Sequence, residues 1–305
     1  MKAFITGVGG FVGPYLVRHL VERGFEVFGI DRKGSTVEGC VVEACNVTDY
    51  DSLFSIIRRI KPEYLFHLAG QSSVAKSWDE PELTKEINVG GAKNLFAAAA
   101  AAKLPSRILL VSSAEVYGLP KKLPMAENHP IAPITPYGES KVEQETLAQE
   151  YVKKHALRII IARSFNHTGP GQPPDFVCSS FAMQFADIEK GRQPPVIKVG
   201  DLAIKRDFSD VRDVVRAYLL LLQKGVNGEA YNVCSGTTVA IGDVVDKLKK
   251  MSTASVKVER EQERMKHTVV PVLHGDNSKL KLLGWQPLIS FDETLASLLY
   301  HWRKK

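Results

Sequence analysis

Long hydrophobic runs are missing from this chain of 305 residues: no stretch approaches the roughly 20 apolar residues of a membrane span. A short apolar, β-prone run already begins at Lys2, which leaves no room for a secretory leader. Cysteine is scarce as well. Cys40, Cys45, Cys178 and Cys234 lack metal-ligand spacing, so no metal is expected, and they read as reduced core thiols of a cytoplasmic protein. Nor is there a strong excess of one charge. The net charge of +6 suits a small anionic substrate. Lysines scattered through 247–250, 257, 279 and 281 read as solvated faces, not as a nucleic-acid surface. A hydrophobic fraction of 44% and a charged fraction of 24% are those of an ordinary globular protein.

Glycine is placed with purpose. Lys2-Ala-Phe-Ile-Thr6 reads as a buried strand, Gly7-Val-Gly-Gly-Phe-Val-Gly13 follows at once, and 14–23 has helical periodicity with Gly24 as its cap. Glu26–Asp31 is the next strand. Glycines between a strand and a helix allow a tight turn and close backbone approach to a pyrophosphate, which meets the helix N-terminus. Asp31 falls 18 residues after Gly13, near the spacing of a carboxylate that holds an adenosine ribose. That residue argues for NAD. Arg32, Lys33 and Ser35 argue for NADP, because an adjacent arginine accommodates a 2′-phosphate. The balance leans slightly towards NADP or dual use.

Strands and helices then alternate: a strand at 41–44, a helix over 50–60, a strand at 64–70, one long helix over 83–102, a strand at 107–113, a helix from Pro136 to about His155 capped by Thr135, and a sixth strand at 158–163. Six buried strands joined by helices predict an α/β, Rossmann-type, doubly wound parallel sheet. The alternation breaks at the Gly/Pro-rich 169–174, so 1–165 is read as the NAD(P)-binding domain and 166–305 as a smaller lobe. Helices at 176–190, from 210 to 222 and from 291, and a strand at 230–234, are expected there.

Tyr137 and Lys141 stand four apart on one helix face. A free tyrosine, with a pKa of about 10, is nearly useless as a base at neutral pH, and a neighbouring ammonium favours its phenolate. Ser113 ends a central strand, where ligands bind in open α/β sheets, and can hold the oxygen that a tyrosine protonates. Together with the glycine loop, this pattern points to hydride transfer.

Gly7-x-x-Gly10-x-x-Gly13, His67-Leu-Ala-Gly-Gln-Ser, Asn88-Val-Gly-Gly, Ser113 four residues before Tyr117, Tyr137, Lys141, Arg163-Ser-Phe-Asn166 and Arg206-Asp-Phe occur in that order. Over nearly its whole length the chain resembles the extended short-chain dehydrogenase/reductases of the nucleotide-sugar-modifying type. The segments 163–172, 175–182 and 205–218 are similar to GDP-4-keto-6-deoxy-D-mannose reductases. The resemblance implies catalysis by Ser113, Tyr137 and Lys141. It implies cofactor contacts by Gly7, Gly10, Phe11, Val12, Gly13, Asp31, Arg32, Asn46, Val47, Leu68, Ala69 and Gly70, joined by Tyr137 and Lys141. Substrate contacts fall to Glu115, Asn166, Val177, Arg206 and Lys266. Arg206 has a competing reading, an ion pair with Asp207 or Asp210. By the same resemblance, the 210–222 helix and its following strand pack back onto the first domain. The helices at 83–102 and 137–155 make a homodimer through a four-helix bundle.

Two positions depart from the family. Asn46-Val47 replaces an aspartate beside the adenine, and Lys266-His-Thr-Val269 replaces an Arg-Pro-x-acid that holds the nucleotide. A lysine keeps the charge and loses the bidentate fork. The implied activity is NAD(P)H-dependent reduction of the 4-keto group of GDP-4-keto-6-deoxy-D-mannose to GDP-D-rhamnose. A GDP-mannose 4,6-dehydratase or a 4-epimerase is the alternative, because Glu115 occupies the position of the dehydratases' carbon-5 acid/base. A non-catalytic cofactor sensor is a third reading, opposed by the intact Ser113, Tyr137 and Lys141.

Overall fold

A computed structural model describes residues 1–261 and 270–305. β1 (Lys2–Thr6), buried over its last four residues, runs through the glycine loop into α1 (Gly13–Val21), and β2 (Glu26–Asp31) and β3 (Cys40–Ala44) follow. α2 (Tyr50–Ile60) starts where the Asp49 side chain accepts from Ser52 N and ends at Lys61, in the left-handed region at φ 52°. β4 (Tyr64–His67) leads to α3 (Val74–Asp79) and α4 (Pro81–Lys85). α4 continues through a π-helical turn at Glu86–Gly90 into α5 (Gly91–Ala101). The single helix expected over 83–102 is therefore interrupted. The cause is Asn88, whose amide donates to Gln71 O and Ser140 Oγ while its backbone carbonyl accepts from Gln144 Nε2.

β5 (Arg107–Ser113) passes through a 3₁₀ turn at Ala114–Val116 and a loop to α6 (Pro136–His155), then β6 (Arg158–Ser164). Next come β7 (Asn166–Thr168), α7 (Val177–Glu189), β8 (Val196–Val199), β9 (Lys205–Arg206), β10 (Phe208–Asp210), α8 (Val211–Lys224) and β11 (Ala230–Val233). The main sheet has seven strands in the order β11-β6-β5-β4-β1-β2-β3. All its pairs are parallel, so six strands were expected from the alternation and β11 adds an edge beside β6.

Parallel strands are covered on both faces, and here the coverings alternate residue by residue. Ile108 and Leu110 pack with Leu53, Ile57, Leu95, Phe96 and Ala148 from α2, α5 and α6. Leu109 points the other way, into Leu16, Leu20, Val214 and Leu221 of α1 and α8. α8 thus folds back onto the sheet, as the resemblance implied.

Of the remaining elements, β12 (Val239–Ala240), α9 (Ile241–Met251), β13 (Lys257–Arg260), β14 (Val272–Leu273) and α11 (Phe291–Lys304) build the smaller lobe, while α10 (Ser278–Lys281) packs on β11 with Leu280 in the core of the main sheet. The lobe's core joins Phe181 and Phe185 of α7 to Val244 and Leu248 of α9 and Leu295 and Leu298 of α11. Among the described residues no helix is long and apolar enough to cross a membrane, and no cluster of His, Cys, Asp or Glu could hold a metal.

Candidate active site

α6 begins with Thr135 accepting from Gly138 N at 2.9 Å and Pro136 in the first turn, so Tyr137 and Lys141 enter the helix side by side. Both are buried, at 8% and 6% exposure. The Ser113 hydroxyl, at the carboxyl end of β5, lies beside the Tyr137 phenol and favours its ionised form. Lys141 Nζ donates to Val111 O at 3.0 Å and stands 5.6 Å from the Tyr137 ring centroid. Sequence reasoning expected the ammonium to hold the phenol's pKa down. Instead, burial pushes Tyr137 up to about 12, with Ser113 opposing and Glu115 adding to the rise. Burial likewise drives Lys141 down to about 8, with Glu145 opposing. Removal from water penalises phenolate and ammonium alike, and here it outweighs their attraction.

Glu115 lies on the 3₁₀ turn, two residues past Ser113. Burial raises its carboxyl pKa and the Arg206 charge opposes this. Arg206 donates from one guanidinium nitrogen to Val270 O at 2.8 Å and from the other to Lys205 O at 2.9 Å. The ion pair with Asp207 or Asp210 is not formed. Asp210 takes Arg212 at 2.8 Å, and Asp207 is caged by Ser235 N, Ser235 Oγ and Gly236 N. Asn166, exposed at the start of β7, pairs in register with Phe208, two residues from Arg206. Val177 opens α7 with its side chain against the lobe's core. Lys266 lies outside the described residues.

At the other end of the cleft the glycine loop is packed to its limit. A Cβ at Gly13 would lie 1.9 Å from Val8 O, one at Gly7 (φ 71°) 2.8 Å from the Ala69 backbone, and one at Gly9 1.9 Å from Asp31 Oδ2. Gly9 and Gly10 are exposed, and Val12 caps α1 with no side-chain hydrogen bond. A bare loop at an uncapped helix N-terminus fits a dinucleotide pyrophosphate. Burial raises the Asp31 carboxyl, but hydrogen bonds from Ser35 Oγ (2.8 Å) and Lys33 N (2.6 Å) more than reverse this and hold it below its ordinary range. Arg32 beside it is exposed. Asn46 Oδ1 accepts from Thr48 N, and Val47 is buried against Gly91. Leu68 N bonds Thr6 O, Ala69 N bonds Thr6 Oγ1, and Gly70 abuts Asn88 Oδ1. Phe11 stacks on His167 at 6.2 Å, and Tyr15 OH donates to Pro170 O at 2.6 Å, so the loop is tied to residues 167–170.

Sequence reasoning gave no role to several polar residues that hold this arrangement, although His67 and Arg163 stood in its motifs. His67, neutral because burial drives its pKa down to about 3, is in hydrogen-bond contact with Thr6 Oγ1 at 2.8 Å. Arg163 grips Glu145 in a buried bidentate pair. The one signal for the latter is that Glu145 continues the four-residue spacing of Tyr137 and Lys141.

A glycine cradle between β1 and α1, with serine, tyrosine and lysine at the carboxyl end of a parallel sheet, defines the short-chain dehydrogenase/reductase class. Residues 4–298 match the GDP-mannose 4,6 dehydratase family, and the chain belongs to that family. It is 32% identical to GDP-6-deoxy-D-mannose reductase of Pseudomonas aeruginosa, covering 100% of this chain and 98% of that protein. Identity to human GDP-mannose 4,6 dehydratase is 28%, over 98% of this chain and 90% of that one. Among solved structures, RMD from Pseudomonas aeruginosa complexed with NADPH superposes with a TM-score of 0.88 at 31% identity, covering 99% of both chains. UDP-glucose 4-epimerase of Thermotoga maritima with UDP-glucose gives 0.91 at 28% identity, covering 100% of this chain and 99% of that one.

Proposed function

We propose that this protein is an NAD(P)H-dependent reductase that converts the 4-keto group of GDP-4-keto-6-deoxy-D-mannose to the alcohol, giving GDP-D-rhamnose. The observation that carries the reaction type is the Tyr137 phenol, buried beside Ser113 and held protonated. A carbonyl that gains a hydride needs one proton on its oxygen, and a neutral phenol supplies it. The substrate rests on the full-length likeness to the Pseudomonas reductase.

A bound nicotinamide would supply the hydride that carbon 4 gains. Tyr137 OH donates its proton to the carbonyl oxygen, and Ser113 hydrogen-bonds that oxygen as charge builds on it. Lys141 offsets the phenolate left on Tyr137. Gly7, Gly10, Phe11, Val12 and Gly13 would hold the pyrophosphate, Asp31 and Arg32 the adenosine ribose, Asn46 and Val47 would stand beside the adenine, and 68–70 would also contact the cofactor. Asn166, Val177, Arg206 and Lys266 hold the GDP-sugar, with Arg206 on the diphosphate. In this reading residues 1–165, joined by part of 208–234, bind NAD(P) and the remainder binds the nucleotide sugar.

The second reading is a GDP-mannose 4,6-dehydratase, favoured by one observation: Glu115 is half-buried and electrostatically coupled to both Tyr137 and Arg206. The test incubates purified protein with GDP-mannose alone, then with the 4-keto intermediate plus NADPH or NADH, and identifies the products. Reduction of the intermediate with no turnover of GDP-mannose supports the reductase; water loss from GDP-mannose overturns it.

The enzyme is read as a cytoplasmic homodimer. Four free cysteines suit a reducing compartment. Trp78 and Leu83 are exposed at 44% and 43% on helices that pack beside α6, which suits a four-helix bundle with a second copy.

A further inference from the structure

Three consecutive residues of β5 meet three successive rungs of α6. The Val111 carbonyl takes Lys141 Nζ at 3.0 Å, the Ser112 hydroxyl donates to Glu145 Oε1 at 2.6 Å, and the Ser113 hydroxyl faces the Tyr137 phenol. Residues 137, 141 and 145 share one helix face and are all buried. Apolar contacts are non-directional and by themselves define the register of a helix on a sheet only loosely. Directional bonds from Val111 and Ser112 to successive turns of α6 define it more closely.

The lowest rung is the most constrained. Glu145 receives Arg163 Nε at 3.0 Å and an Arg163 terminal nitrogen at 2.8 Å, in addition to Ser112. The other arm of Arg163 donates to Tyr117 OH at 3.1 Å and Glu127 O at 3.0 Å. Tyr117 in turn donates to Asn232 Oδ1 on β11 at 2.6 Å. Strands β5, β6 and β11 are thereby fastened to one carboxylate on the catalytic helix. We propose that Glu145 is a positioning residue for the proposed reduction: its carboxylate fixes the register of α6 on β5 and sustains the positive charge at Lys141. This rests on the reductase reading only for the turnover measurement below.

The charges around Lys141 are few. Tyr137 and Glu145 face it from its own helix, His67 from β4, and Arg163 of β6 reaches it only through Glu145. Glu145 is the one anion among them that favours the ammonium, and His67, held neutral by burial, adds no charge of its own. Removing that anion also leaves the Arg163 guanidinium unopposed, and both changes push the Lys141 proton off.

The test uses the full-length protein and two variants. Glu145→Gln leaves a buried arginine unpaired and is at risk of misfolding, so Glu145→Gln/Arg163→Met, which removes both charges, is measured beside it. In ε-¹³C-lysine-labelled protein without ligands, the Lys141 signal, assigned with Lys141→Met, is titrated. Its midpoint is expected to fall by about one unit in the double variant, where the attraction of the anion alone is lost, and further in Glu145→Gln if it folds, because Arg163 then stands unopposed. Turnover is expected to fall at least tenfold with the KM for NAD(P)H nearly unchanged, and its alkaline limb to move to lower pH. An unmoved Lys141 midpoint in the double variant overturns the proposal, whatever happens to turnover, and reduces Glu145 to a stabilising ion pair. The titration needs no sugar, so a wrong substrate leaves it decisive.

Discussion

Glu115 and Arg206, one two residues past Ser113 and one on β9, each restrain the other's response to burial. Burial raises the carboxyl and Arg206 draws it back, while burial lowers the guanidinium and Glu115 raises it. Neither is neutralised by a close ion pair, since the Arg206 nitrogens are spent on backbone carbonyls. Two partly compensated charges within reach of each other are suited to a ligand that carries both hydroxyls and phosphates.

Arg206→Ala is expected to raise the KM for the GDP-sugar by one to two orders of magnitude, consistent with loss of about 1.5–3 kcal/mol from a charged hydrogen bond. The Kd for NAD(P)H, measured by nucleotide fluorescence, should change little. Equal loss of both affinities would indicate a folding defect.

Tyr137→Phe should lower kcat by at least 10² while cofactor affinity persists, because the phenol's proton is needed only as the carbonyl oxygen gains charge. Near-normal turnover in this variant would remove Tyr137 from the mechanism.

For Lys141, the folded pKa of about 8 lies below the ordinary 10.5. Between those values the unfolded chain keeps a proton that the folded chain has shed, so stability rises with pH across that window. Below pH 8 the cost of the buried ammonium is present in full. Lys141→Met is therefore expected to be inactive yet more stable than wild type at pH 7, by about 1–3 kcal/mol after loss of the Val111 hydrogen bond. The advantage should vanish near pH 10.5. Urea unfolding at pH 7 and pH 10.5 checks both the sign and the window.

Glu115→Gln should retain a substantial part of 4-keto reduction, because hydride and one proton suffice for that step. Wild-type turnover in heavy water should place no deuterium at carbon 5 of the sugar, as judged by NMR of the product. Deuterium at that carbon would favour the dehydratase reading.

Light scattering at micromolar concentration should give the mass of a dimer. Leu83→Glu or Trp78→Glu should shift it towards monomer with little change in fold by circular dichroism, whereas a wild-type monomer would refute the bundle.

The parallel sheet was legible because buried strands are continuous apolar runs, and Lys2–Thr6, Glu26–Asp31 and Arg107–Ser113 occupy their expected bounds. Asn88 was not legible as a π-turn, because the bulge is imposed by partners at Gln71, Ser140 and Gln144 that are distant in sequence. The spacing of Tyr137 and Lys141 foretold one shared helix face near Ser113, which the structure has, but misjudged the electrostatics there, since the depth of burial that controls both groups is a property of the packed lobes. For the same reason the Glu145–Arg163 pair left only a spacing as its trace. Arg206 looked like one half of a local ion pair until Asp207 and Asp210 were seen to serve other donors.

β11 completes the sheet although some 65 residues of the second lobe separate it from β6, its neighbour. During synthesis, β6 leaves the ribosome with an open edge carrying Ile161, Ala162, Arg163 and Ser164, and it stays unpaired until residues 230–233 emerge. At roughly 5–20 residues per second that interval lasts several seconds, long enough for an uncovered edge to recruit another nascent chain. The two lobes therefore cannot mature one after the other, and a chain cut at residue 165 would keep a sticky strand for life.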